Sequence, residues 1–235
     1  MKTRLIANKE LATVGMLSPH PLLLAPGSGS FTMKMRFAFT DDGSLVAKAI
    51  RRVTGGEYSH CLIEFLIGDN RCYFESRSNN VNIIIGYDQF GNHKYIRKNG
   101  IRGPLPMSKL HSWYLKSEKR KMITFPSDGW LPVTDEEVQW AYSMLCEKRS
   151  HVRYAHTQII RNLFENMFGS NFGWKRTSPN TWTCSETALE TMPRKYWHYF
   201  LPSGMSPDAI VPSGMKNPSI LEGAKRLVED RGVKE

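Results

Sequence analysis

The chain has 235 residues, 40% hydrophobic and 11% aromatic, which supports a packed core and excludes wholesale disorder. Lysine and arginine number 32 against 22 acidic residues, a formal charge of +10, so contact with something anionic is expected: cell-wall polymer, a lipid headgroup or nucleic acid. The apolar runs, such as Ile83-Ile84-Ile85, are too short for a transmembrane helix, and the 4 cysteines show no CxxC or Cys/His tandem that would mark a structural zinc site.

Residues 1–32 close on Pro26-Gly27-Ser28-Gly29-Ser30 and read as a flexible leader. Lys9 and Glu10 interrupt what would be the apolar core of a signal peptide, so no secretion signal is read and the protein is expected to be cytoplasmic as synthesised. The domain is expected over 33–215, with a fraying basic tail over 216–235. Met35–Phe39 reads as a strand. Ser44–Val53 reads as a helix, from the spacing of Leu45, Val46, Ile50 and Val53 behind a Ser44 cap. Ser59–Ile67 and Arg71–Arg77 read as a hairpin around Gly68-Asp69-Asn70, and Val81–Ile85 as a third strand. Residues 86–118, polar, basic and rich in Gly and Pro, read as a surface excursion. Lys121–Phe125 is a strand.

Thr134-Asp135-Glu136-Glu137 is a capping box, so a helix is expected behind it to about Glu147. Further helices are expected over Ala155–Phe168 and from Thr183 to before Pro193, with a loop over 169–179 and a turn or short helix at Ser206-Pro207-Asp208. Strands early and helices late define an α+β class, a small antiparallel sheet packed against helices.

Two segments carry chemistry. Thr183-Cys184-Ser185-Glu186 fits Thr-x-x-Glu, which makes Thr183 the N-cap and Cys184 the first helical residue. The unpaired N–H groups of a first turn stabilise a thiolate and can hold an oxyanion. Tyr58-Ser59-His60-Cys61 sets His60 at the head of an apolar strand. Alternation puts His60, Leu62 and Glu64 on one face and Cys61, Ile63 and Phe65 on the other, so Cys61 is not read as the partner of His60. Cys61, Cys72 and Cys146 read as small buried apolar residues. A third polar group should orient the imidazole. Glu75 is the favoured carboxylate, but a hairpin pairing Ile67 with Cys72 sets Glu75 opposite Glu64 and Asn79 opposite His60. A bulge or a different loop is needed to bring Glu75 closer, and Asn79 stays as the substitute.

These residues, in this order, resemble the circularly permuted NlpC-type, papain-like cysteine hydrolases, in particular the YiiX/YebB-like branch, and share the layout of lecithin:retinol acyltransferase-like enzymes. The resemblance covers roughly residues 35–210. It makes Cys184 the nucleophile, His60 the base, Glu75 the third member and Tyr154 a pocket tyrosine. The family often has an acidic residue after that tyrosine, where this chain has Ala155. The resemblance implies amide cleavage through a thioester, with a cell-wall peptide as the favoured substrate and a lipid-directed amidase or acyltransferase as the alternative; it implies no cofactor and no metal. An enzyme reaching the wall without a signal would be virion-associated or released by lysis. Trp182, Trp197, Tyr199 and Phe200, with Phe172 and Trp174 of the 169–179 loop, could line its groove, although at least half are expected to be core. The contrasting expectation is a non-catalytic protein whose basic stretch, Lys116–Lys121, binds nucleic acid or a virion component. No nucleic-acid motif accompanies that charge. Oligomeric state is not legible.

Overall fold

Among the described residues, seven strands, five of them in one sheet, and six helices carry the fold. The computed structural model describes residues 32–87, 93–155, 180–214 and 218–231, the side chains of 78–98 excepted. All of them belong to one compact unit, Phe31–Glu235. The leader expected over 1–32 lies outside the described residues but for its last, as do the helix over 155–168 beyond Ala155 and the loop over 169–179 with Phe172 and Trp174.

Strand β1 (Met33–Asp41) leads into α1 (Leu45–Thr54). Ser44 caps α1 by accepting from the Ala47 N–H, and Gly55, in the left-handed region, closes it. Strand β2 (His60–Ile67) turns into β3 (Asn70–Tyr87), which returns as β4 (His93–Pro106). Helix α2 (Met107–Leu115) and strand β5 (Lys121–Phe125) follow. The antiparallel sheet has the order β4-β3-β2-β1-β5. Helix α3 (Asp135–Lys148) starts at the expected capping box of Thr134 and Glu137. Strands β6 (Arg153–Tyr154) and β7 (Thr181–Trp182) form a short parallel pair. Helices α4 (Cys184–Glu190), α5 (Trp197–Phe200) and α6 (Ile220–Asp230) complete the chain. The expected Ser206-Pro207-Asp208 feature is a 3₁₀ turn over Pro207–Ala209. The α+β class is therefore observed.

Strand alternation sorts the core into two layers. Phe37, Phe39, Cys61, Ile63, Phe65 and Phe74 face the larger one, which α3, α4 and α6 cover. Ala38, Leu62 and Tyr73 face the smaller one, which α2 covers through Met107, Leu110 and Tyr114.

Four expectations change, the first being that Val81–Ile85 is not a separate third strand but the continuation of β3. Residues 86–118 are not an excursion: most of them form β4, paired to β3 from Cys72↔Pro106 to Tyr87↔His93, and then α2. Gly100, Gly103, Pro104 and Pro106 sit in β4, an edge strand, where a missing N–H is tolerated. Gly103 has φ of +133°, and a Cβ there would lie 2.6 Å from the Tyr73 carbonyl oxygen, so this loop-like residue is what lets the strand pass. The tail over 216–235 is not frayed along its length, because α6 buries Ile220, Leu221, Ala224, Leu227 and Val228 in the main core. The hairpin turn is also tighter than expected: Ile67 pairs Asn70, not Cys72.

Candidate active site

That tighter turn moves β3 along β2 and builds the site. The ladder runs from Ile67↔Asn70 to Ile63↔Phe74. Continued in the same register, it sets Glu75 opposite Leu62 and Arg77 opposite His60. Glu75 then shares the His60 face as its diagonal neighbour, within side-chain reach. The His60 Nε2 lies 2.9 Å from the Glu75 Oε2. The carboxylate the sequence favoured is the one in contact. Asn79, the substitute, has its side chain outside the described residues.

Glu75 is fully buried. The Arg77 Nε donates to its Oε2 and the Arg102 Nε to its Oε1, each at 2.6 Å. Arg77 also donates to the Tyr114 hydroxyl at 3.3 Å. A buried carboxylate would ordinarily be neutralised. Burial pushes Glu75 that way, but the hydrogen bond with His60 and the charges of Arg77, His60 and Arg102 outweigh it and hold the carboxyl far below the usual range. Neither arginine was legible as part of the site. Their signal existed only as strand parity, since Arg77 stands two residues beyond Glu75, and Arg102 pairs with Glu75 across β3 and β4.

Cys184 is the first residue of α4. Thr183 caps the helix by accepting from the Glu186 N–H at 3.1 Å, while the Glu186 carboxylate accepts from the Thr183 N–H at 2.7 Å. The Thr187 N–H reaches the Thr183 carbonyl at 3.0 Å, closing the first turn. Helix α4 packs across β2, and Cys61 and Cys184 belong to the same buried cluster. His60 opens β2, so its ring serves both the Glu75 side of the sheet end and the α4 side.

The four cysteines diverge sharply in acidity. Burial pushes Cys61 well above the ordinary thiol value, Cys72 up to about 12, and Cys146 upward. Cys184 alone is held well below it. The neighbouring Cys61 thiol stabilises its thiolate most, and the His60 imidazolium adds to this against the effect of burial. Burial disfavours the His60 charge as well. The Cys184 thiolate and the hydrogen bonds with Cys184 and Glu75 outweigh that and raise His60 to about 9. Both shifts favour the thiolate–imidazolium form of the pair over the neutral one. Cys61, read from parity as no partner of His60, proves to be a neighbour of the thiolate instead.

Tyr154 ends β6 beside β7, the strand that delivers Cys184. Burial, then the neighbouring Cys184 and Cys61, raise its hydroxyl well above the ordinary tyrosine value, so it stays a neutral donor near the sulfur. The four residues singled out from sequence, Cys184, His60, Glu75 and Tyr154, are thus brought to one place. Of the aromatic residues considered for a groove, Trp182 and Phe200 are buried core, while Trp197 and Tyr199 are partly buried against it. Among the described residues, no group of three His, Cys, Asp or Glu side chains is arranged to hold a metal ion, and no helix is long and apolar enough to cross a membrane.

Comparison with protein-family models found no match, and neither the curated proteins nor the solved structures contained one.

Proposed function

We propose that the chain is a cysteine hydrolase in which Cys184 attacks the carbonyl of an amide, a cell-wall peptide being the favoured substrate class. The observation that carries this reading is geometric: Cys184 starts a capped helix that packs on β2, the strand whose first residue, His60, lies 2.9 Å from the buried Glu75 carboxylate; in keeping with it, the thiol is lowered and the imidazole raised to about 9. Structural cysteines in apolar surroundings shift the other way, as Cys61 and Cys72 do. The order of histidine strand, carboxylate strand and cysteine helix supports membership of the permuted papain-like hydrolases.

The steps follow from the charges. The Cys184 thiolate adds to the carbonyl carbon, forming a C–S bond and an oxyanion. The Tyr154 hydroxyl and the N–H groups of the first turn of α4 are the donors that stand near that oxygen. As the C–N bond breaks, the His60 imidazolium gives its proton to the departing amine. Neutral His60 then takes a proton from water, which attacks the thioester and releases acid and thiolate. Glu75 holds the ring and its charge throughout.

An electrophilic thiol probe at neutral pH, followed by peptide mapping, tests the reading. Selective labelling of Cys184 over Cys61, Cys72 and Cys146 is expected, and Cys184→Ala should abolish turnover while the fold persists. Equal labelling of all four, or hydrolysis surviving in Cys184→Ala, would refute it. Released wall peptides distinguish the favoured substrate from a lipid-directed reaction, which would release fatty acid.

A further inference from the structure

The site leaves one surface unused. Among the described residues, exposed large apolar side chains are few, and apart from Trp140 and Met205 they belong to α1, α2 and β5. Leu45 and Val46 occupy the first turn of α1, 83% and 64% exposed. Leu115 ends α2 at 87%, and Trp113 and Ile123 are also exposed.

These tips form one patch. Leu115 and Ile123 line a shared cavity of about 590 Å³ with Arg120 and Lys121. The Arg120 guanidinium lies 3.7 Å from the centre of the Trp113 ring. Lys121 pairs with Asp41 at the end of β1, and the Lys119 carbonyl packs against Gly43, two residues before Leu45. Helix α1 buries only Ala47 and Thr54. At 100° per residue, Val46, Val53, Ala49 and Leu45 span an arc that ends on the face opposite that buried seam, and Arg52 and Lys48 continue it beyond Leu45. Lys116, Lys119 and Lys121, which lie along the chain between Leu115 and Ile123, are exposed.

We infer that this patch docks the protein peripherally on an anionic lipid bilayer. A mixture of protruding aliphatic tips and lysines suits the headgroup boundary, where the aliphatic ends enter the acyl region and the ammonium groups meet anionic lipid. A protein partner fits less well, because the centres of protein interfaces are depleted in lysine. A phosphate backbone fits less well, because it offers Leu45 and Leu115 nothing to bury against. Asp42, at the edge of the patch, interacts electrostatically with Arg77 and His60, so the docked face adjoins the catalytic end. The docking stands whether or not Cys184 is a nucleophile.

Sedimentation of the full chain with vesicles tests it, using phosphatidylcholine alone and an equal mixture with phosphatidylglycerol. Binding to the mixed vesicles, released by salt, is expected, with little binding to the neutral ones. Leu45→Asp combined with Leu115→Asp should lower partitioning by about tenfold or more, and Lys119→Glu combined with Lys121→Glu should do the same. Because these positions are exposed, both variants should melt at the parent temperature, and Cys184→Ala should bind like the parent. Failure to bind the mixed vesicles, or undiminished binding by the Leu45/Leu115 variant, overturns the inference. So does self-association in solution that the same substitutions abolish without any vesicle binding, since the patch would then join two copies of the chain.

Discussion

Glu75 carries more of the site than any other residue. It has no contact with water, and three cationic groups converge on its two oxygens. Removing one partner from such a cluster leaves the others buried and uncompensated, which costs about 3–5 kcal/mol. Glu75→Gln preserves the shape and removes the charge, so a loss of about 3 kcal/mol in urea unfolding is expected, with slower alkylation of Cys184 at neutral pH. The pH dependence has a definite sign. His60 is raised to about 9, so its contribution to stability is complete below the ordinary histidine value of about 6.5 and is lost as pH climbs through about 9. Glu75 and Cys184 are lowered, so theirs is lost as pH falls through their folded values. Turnover requires thiolate and imidazolium together. A pH–rate profile should therefore plateau between an acid limb well below a free thiol's and an alkaline limb near 9.

At the scale of elements, the cap of α4 and the passage of β4 are the two places where local chemistry sets the site. Thr183→Ala removes the acceptor for the Glu186 N–H and half of the capping box. A loss of about 1–2 kcal/mol is expected in urea unfolding, accompanied by a rise in the pH at which Cys184 alkylates, because the helix start is less well held. Strand β4 supplies Arg102, and it can do so only because Gly103 beside it passes close under Tyr73 and Phe74. Gly103→Ala would place a methyl group against backbone at a positive φ. Destabilisation of about 2 kcal/mol or more is expected from thermal and urea unfolding. The caps were legible because they depend on residues three apart in the chain. The strand was not, because the residues that make it permissible resemble those of a loop until β3 lies beside it.

Over the whole molecule, the last helix closes the core that supports the site. Leu227 is fully buried among residues of the main cluster, and a Cβ on Gly223 would lie 2.3 Å from the Phe200 ring. Leu227→Ala should cost about 2–5 kcal/mol by urea unfolding, through lost burial and the cavity left behind. Charge alone had marked residues 216–235 as a tail. The helical spacing of Leu221, Ala224, Leu227 and Val228 was present in the sequence, but only its burial against α5 and α4 decides that this face is an inside face.

The sequence by itself determined the local signals: two capping boxes, the strand alternation, an α+β arrangement, and the types of residue able to do thiol chemistry. These are set by neighbours a few positions apart, whose geometry is nearly independent of the rest of the chain. Only the tertiary structure decided that His60 meets Glu75 rather than faces another residue, that two arginines hold that carboxylate ionised, and that Cys61 lies beside Cys184. Each of those facts turns on strand register and on which face packs against α4. A shift of two residues in one hairpin turn, invisible in composition or periodicity, keeps every side chain on its face but changes which ones are neighbours along it, and so moves Glu75 from opposite Glu64 to opposite Leu62, within reach of His60.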